Sequence, residues 1–288
     1  MKPERWLKRA VIGASYLARG LRVGDNAHGR ILMYHRVEEV KGDRLAVSPE
    51  QFRRQMEWLR RREIRVVDLD TLVESLQHPN PAKGVRQAAI KFDDGYEDNH
   101  RFAWPILRSF GFTATLFAPA ALIGTDSPIP AERPGAAPAR LMSWDQLKEL
   151  VREGLVVGSH GMTHRRLTRL SLAQVKGEVV ESKQVLEEKL GRPVDWFCYP
   201  GGAFTIDVVR LTQWAGYQGA LSVRPGANTA QTHRFMLRRT EISGTDTLRD
   251  FELKMAGAYD LWHKGVQTLQ RWRRRRKQKT ERPYVHPS

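Results

Sequence analysis

The sequence predicts an α/β fold whose strands close toward a barrel, and three observations carry that prediction. From residue 30 onward, short β-rich runs alternate with stretches of helical period. Helix starts are marked by a Ser with Gln three residues later, at Ser48/Gln51, Ser143/Gln146 and Ser171/Gln174, the spacing of a capping box that satisfies orphan N–H groups. Two apolar runs end abruptly in paired carboxylates or histidines. Antiparallel hairpins need only short turns, so strands separated by helices imply parallel pairing through right-handed crossovers.

The elements follow in order. Residues 1–24 read as a basic amphipathic helix, with Leu7, Val11, Ala14, Leu17 and Leu21 on one stripe and Arg5, Lys8, Arg19 and Arg22 largely off it. Such a helix suits an anionic membrane surface or a docked position on the domain, and the sequence leaves both open. Its apolar stretch, Ala10 to Ala18, is too short to span a bilayer. Arg19 and Arg22 stand where a small-residue cleavage site would lie, which disfavours a cleaved signal peptide. Strand candidates are Ile31–Val37, Ile64–Val67, Ala88–Phe92, Phe112–Ala118, Leu155–Gly158, Val194–Tyr199, Tyr217–Val223 and Leu237–Ile242. Pro49 sits at the first helical position, where its missing donor does no harm. Residues 121–140, with Pro128, Pro130, Pro134, Gly135 and Pro138, read as a loop that overhangs a site. A helix is expected from about Thr247 to Lys279, ending in an Arg-rich tail. The division is thus residues 1–24, a domain at 25–245, and a helix with tail at 246–288.

Charge and cysteine count narrow the function classes. The formal net charge is +16, but residues 1–24 hold +5 and residues 271–288 hold +7, so the domain between them carries only +4. That body is not itself a polyanion binder. The single cysteine, Cys198, excludes an intrachain disulfide and a thiolate-rich zinc cluster. Any metal must therefore sit on histidines and carboxylates.

Two strand exits carry the chemistry. Ala88-Ala89-Ile90-Lys91-Phe92-Asp93-Asp94-Gly95-Tyr96 stops an apolar strand at adjacent carboxylates, where a turn lets neighbours serve one site in different roles. Alone, Asp-Asp-Gly is also a common turn. Leu155-Val156-Val157-Gly158-Ser159-His160-Gly161-Met162-Thr163-His164 ends a second strand in two histidines four apart. If that segment turns helically, both imidazoles share a face and, with one carboxylate, give a His₂Asp set with open positions for water and substrate. Zinc or a similar divalent ion suits such a set.

Together these motifs resemble the polysaccharide deacetylase family with the NodB-homology fold, carbohydrate esterase family 4. Phe92-Asp93-Asp94-Gly95 is similar to its first motif, Ser159-His160-Gly161-Met162-Thr163-His164 to its second, and Phe197-Cys198-Tyr199-Pro200-Gly201-Gly202 to its third. The resemblance covers roughly residues 30–245. It implies a deformed (β/α) barrel, a divalent metal cofactor, zinc above others, and hydrolysis of an N-acyl group from an amino sugar. It also implies Asp94, His160 and His164 as metal ligands, Asp93 as general base, and the Gly201 N–H as an oxyanion donor.

The general acid is expected at His35, in Ile31-Leu32-Met33-Tyr34-His35-Arg36, because this run resembles the poly-N-acetylglucosamine deacetylase branch with its acid motif permuted to the front. The later His233, His263 and His286 sit at no convincing strand exit. A capped structural histidine beside Tyr34 is the alternative. Three departures from the family pattern stand out: Lys91 where Thr is usual, Gly161 for Ser or Thr, and Cys198 at the third motif's Arg position. Arg239 resembles the Arg that closes the site in the permuted branch and is expected to pair with Asp93, unless it is a surface residue.

Tyr34, Tyr96, Trp104 and Trp144 are candidates to line a sugar platform, although aromatics on such elements often belong to cores. Tyr96, with Tyr34, Tyr199 and Pro200, is assigned to substrate binding. The expected partner is an N-acylated amino-sugar glycan, either a polysaccharide or a lipid-linked precursor. Without a clear signal peptide, the expected place is cytoplasmic, with the basic termini held at the anionic inner face of the membrane. Two other classes compete with this reading. A nucleic-acid binder would use the Arg-rich tail with Trp272, but no groove-reading motif accompanies it, so no specific nucleic acid is expected. A non-catalytic carbohydrate-binding relic is disfavoured by the intact metal and acid/base positions.

Overall fold

The strands are β1 (Arg30–Tyr34), β2 (Arg36–Val37), β3 (Ala46–Val47), β4 (Arg65–Val66), β5 (Gln87–Asp93), β6 (Thr115–Ala118), β7 (Val156–Ser159), β8 (Trp196–Cys198), β9 (Gly219–Pro225) and β10 (Leu237–Glu241). They come from a computed structural model that describes residues 29–77, 86–126, 129 and 139–260. Seven of them pair in parallel around a closed ring, β1-β10-β9-β8-β7-β6-β5, and β5 returns to β1 through Arg30↔Ala88 to Tyr34↔Phe92. This is a (β/α) barrel, and its parallel closure puts the C-terminal ends of all seven strands at one rim.

All eight expected strands form, with two corrections. Ile31–Val37 is broken at His35 into β1 and β2, and β2 pairs with β3, a strand too short to leave a pattern in the sequence. Ile64–Val67 yields β4, which pairs only with the start of β5, at Arg65↔Gln87 and Val66↔Ala88. From Lys91 onward β6 takes over that edge of β5, so β4 is left outside the ring.

Capping chemistry sets the helix starts as the sequence implies. Ser143 and Ser171 form reciprocal capping boxes with Gln146 and Gln174, and the Ser48 side chain accepts from the Gln51 N–H with Pro49 in the first turn. The helix Pro49–Arg61 buries Phe52, Met56 and Leu59 at the i, i+4, i+7 spacing of one face. Inside the ring, Ile31, Ala89, Phe117, Trp196, Leu221 and Leu237 pack into a fully apolar plug. Burying each large side chain is worth about 1.5–3 kcal/mol. The plug fills the barrel below the rim, so polar side chains gather at the strand exits and just beneath them.

The stem of the predicted overhanging loop is tied to both chemical motifs. Ala120 and Ala121 donate backbone N–H groups to Gly161 and Met162, while Met142 donates to Gly95. Most of the loop itself lies outside the described residues, as do the expected N-terminal basic helix, His263, His286 and the Arg-rich tail. Of the helix expected from about Thr247 to Lys279, Leu248–Met255 forms and then breaks at Ala256–Gly257, where Gly257 turns at φ 81°; residues 261–279 lie outside the described residues. Gly24–Phe251 form one compact unit, and the described residues 252–260 belong to the other. Among the described residues, no helix is long and apolar enough to cross a membrane.

Candidate active site

The rim is built from three strand exits. At the end of β5 the chain reverses through Asp94 and Gly95, with φ of 81° and 74°. A left-handed aspartate is strained, and the turn separates the side chains of Asp93 and Asp94 while keeping both buried. At the end of β7 the two histidines do not lie on a helix, as the i, i+4 spacing implied. His160 continues the strand direction, Gly161 turns at φ 79°, and His164 sits at φ 59°. Irregular backbone, rather than helical period, brings the imidazoles to a centroid separation of 4.8 Å.

Glu178, which carries no signal in the sequence, holds this loop. Its buried carboxylate accepts the backbone N–H groups of Met162 (2.8 Å) and Thr163 (2.9 Å) and the Thr163 hydroxyl. A side chain at Gly161 would press on the same carboxylate, with Glu178 Oε2 3.0 Å from its Cβ. The residue lies in the widened turn Gly177–Glu181, a segment with no sequence signature of its own.

Asp94, His160 and His164 converge. Asp94 Oδ1 lies 3.5 Å from His160 Nε2 and 3.3 Å from His164 Nε2, and it is buried with no hydrogen-bond partner. His160 Nδ1 is 2.6 Å from the Cys198 carbonyl, so the N–H is assigned to Nδ1 and the Nε2 lone pair faces Asp94. Burial pushes the His160 pKa down to about 4, which keeps the ring neutral. Although burial opposes its charge, the Asp94 carboxyl is held below the usual range by His164 first and then by His35 and His160. An unpaired carboxylate oxygen facing an imidazole lone pair calls for a cation between them, so the donor set fits a divalent metal. A second buried group, Asp93, His160 and Cys198, has the same proximity. It fits poorly, because burial pushes the Cys198 thiol up to about 12 and cations already hold both Asp93 oxygens.

Asp93 faces the opposite condition. The Lys91 ammonium is paired with Oδ1, and Arg239 Nη1 donates to Oδ2 at 2.9 Å. Cys198 Sγ lies 3.4 Å from Oδ1. Burial opposes ionisation here too, but Lys91 and Arg239 overcome it and hold the carboxyl well below its usual value. Arg239 is buried in the barrel, not on the surface, and also donates to the Ser222 carbonyl.

His35 occupies the break between β1 and β2, its Nε2 3.8 Å from Asp93 Oδ2 and its Nδ1 buried without a partner. Burial lowers its pKa, with Asp94 and Asp93 opposing. Asn99 fixes the backbone by donating to the His35 carbonyl at 3.0 Å, and Asp98 anchors the next residues through Arg36 and the Val37 N–H. Gly201 turns at φ 60° between Pro200 and Gly202.

The substrate-binding expectations need correction. Tyr34 is fully buried, edge-on to Phe52, with its hydroxyl donating to Gln55 Oε1 at 2.8 Å. It points outward from the barrel because β1 alternates faces, and it is a core residue. Tyr199 is likewise buried and donates to the Phe235 carbonyl at 3.1 Å. Pro200 is buried beside Gly161. Trp104 is buried with its indole N–H on Glu153, and the half-buried Trp144 packs over Gly124. Tyr96 alone among the four named tyrosine and proline positions reaches the rim half-exposed, hydrogen-bonded to Asp94 beneath the Arg36 guanidinium.

Residues 80–220 match the family model described as polysaccharide deacetylase. The chain is 27% identical over 214 residues to YxkH of Bacillus subtilis, covering 74% of this chain and 71% of that one. It is 24% identical over 223 residues to a poly-beta-1,6-N-acetyl-D-glucosamine N-deacetylase of Staphylococcus aureus, covering 74% and 72%. In fold it is similar to the Streptococcus pyogenes deacetylase PplD, with a TM-score of 0.69 at 21% identity over 79% of this chain and 98% of that one. It is also similar to IcaB of Ammonifex degensii, with a TM-score of 0.66 at 23% identity over 80% and 97%.

Proposed function

We start from the premise that residues 80–220 are a polysaccharide deacetylase domain of the NodB type, a deacetylase hydrolase, and we propose that the chain uses a divalent cation to remove N-acetyl groups from glucosamine units of a glycan. The observation that supports this most is the buried Asp94 oxygen without a hydrogen bond, facing two imidazoles, beside a second carboxylate whose oxygens are paired with Lys91 and Arg239. Asp94, His160 and His164 are the ligands, and their His₂Asp donors favour zinc. When bound, the cation polarises the acyl carbonyl and makes water more acidic.

The chain's own residues supply the rest. Asp93 accepts a proton from the attacking water, and Arg239 fixes the carboxylate that does so. The Gly201 N–H donates to the oxygen that gains charge as the carbonyl becomes tetrahedral. His35 gives a proton to the departing amine, which would otherwise be a very poor leaving group. Tyr96 meets the sugar at the rim. The glycan is read as an N-acetylglucosamine polymer or its lipid-linked precursor. The basic ends, residues 1–24 and 271–288, are read as holding the enzyme against anionic lipid; sedimentation with phosphatidylglycerol vesicles at about 0.1 M salt tests this, and a chain that stays in the supernatant refutes it.

The catalytic reading is tested with purified full-length chain on β-1,6-linked N-acetylglucosamine oligomers, scoring free amine. Release should stop with chelator and return with zinc. A chain that binds zinc and releases no amine from any N-acetylglucosamine oligomer would contradict it.

A further inference from the structure

Lys91 is fully buried, an uncommon state for a lysine, and the mechanism above gives it no task. It lies on β5 two residues before Asp93, so both side chains point to the barrel interior. There the ammonium is bounded by the Phe117 ring below, 5.4 Å to its centroid, by Cys198 Sγ at 3.7 Å, and by the Asp93 oxygen with which it pairs. It forms a layer between the apolar plug and the rim. Arg239 reaches the other oxygen of the same carboxylate and also touches Cys198 Sγ, at 2.9 Å. Residue 198 therefore contacts both cations and the aspartate, and its small side chain leaves the space that Lys91 fills.

We propose that Lys91 is a positioning residue for Asp93: its ammonium holds one carboxylate oxygen from beneath while Arg239 holds the other, fixing the carboxylate plane toward the substrate side, and Cys198 is the small partner that makes room for it. The proposal rests on the reading of Asp93 as the proton acceptor. One cation would neutralise the charge but leave the plane free to rotate about the bond to Cβ. Two cations on different oxygens, delivered from β5 and β10, remove that freedom, and positional freedom of a reacting group is costly to turnover.

A merely structural role makes a different prediction. Lys91→Met removes one partner of a buried ion pair and costs stability, but Arg239 stays on the other Asp93 oxygen, so the carboxylate keeps a compensating charge and the chain still folds. With the assay held well below the lowered unfolding midpoint, kcat is expected to fall about 10- to 100-fold, as for other outer-shell partners, with KM and zinc affinity little changed. The cation can also be moved. Lys91→Thr combined with Cys198→Arg returns a positive charge to the same space from β8, and the double variant should recover at least tenfold in kcat over Lys91→Thr alone. Asp93→Asn is measured in parallel. If Asp93→Asn retains full kcat, the reading of Asp93 has failed and the proposal falls with it. If Asp93→Asn is inactive while Lys91→Met keeps wild-type kcat, or loses activity only together with zinc affinity and folding, the positioning role alone is overturned.

Discussion

Asp93 and Asp94 are neighbours in sequence and have opposite surroundings. Asp93 is satisfied from within, with both oxygens on buried cations of the chain itself. Asp94 is left unsatisfied, with Oδ1 buried and unpartnered before two imidazoles and its own backbone in the left-handed region. The half that is complete suits a group that must keep its position and charge. The half that is incomplete suits one that waits for something from outside. The different surroundings of the adjacent carboxylates thus follow from what the neighbouring strands bring near them, not from the residues themselves.

The comparison breaks most severely at the incomplete half. Asp94→Asn or His160→Ala should lose zinc affinity, read by competition with a chromogenic chelator, and bring activity to background. On the complete half, Asp93→Asn should cost about 10²- to 10⁴-fold in kcat, the usual range for a general base, while zinc still binds. Equal loss of zinc in both variants would erase the distinction between the halves. His35→Ala should behave like Asp93→Asn, losing turnover with zinc occupancy retained.

Glu178→Gln sharpens the comparison further, because it touches only the histidine loop. It should weaken zinc by about 10- to 100-fold and leave the kcat of the fully loaded enzyme close to wild type. A smaller effect concerns pH. His160 is held at about 4 in the folded chain, against an ordinary value of 6.5. Between those values the unfolded state binds more protons, so stability rises with pH there and is lost as pH falls. The unfolding midpoint of the zinc-free protein should therefore drop between about pH 6.5 and 4, and His160→Gln should flatten that drop.

Much of this was legible in the chain. Strand runs, Ser caps and the two chemical exits follow local rules of period and hydrogen bonding, and these survive folding at Ser143, Ser171 and β5. What local rules miss is direction. Tyr34 sits beside His35 in sequence but faces outward from β1 into the core, because alternate residues of a strand take opposite sides. Tyr199 is lost to the core in the same manner. The histidine pair was legible as a pair, but its helical spacing was not the reason it converges; left-handed turns at Gly161 and His164 are. Glu178 was invisible because a carboxylate that accepts N–H groups from a distant loop has no signature in its own neighbourhood. Lys91 was visible as an oddity, yet its contact with Cys198 joins residues 107 positions apart.

The most direct test is a crystal of the zinc-soaked protein with anomalous data at the zinc edge. The account predicts one strong peak inside the barrel rim, about 2.0–2.2 Å from His160 Nε2, His164 Nε2 and an Asp94 oxygen, with Asp93 still on Lys91 and Arg239. A peak bound instead by Asp93 and Cys198, or none at the rim in zinc-replete crystals, would contradict it.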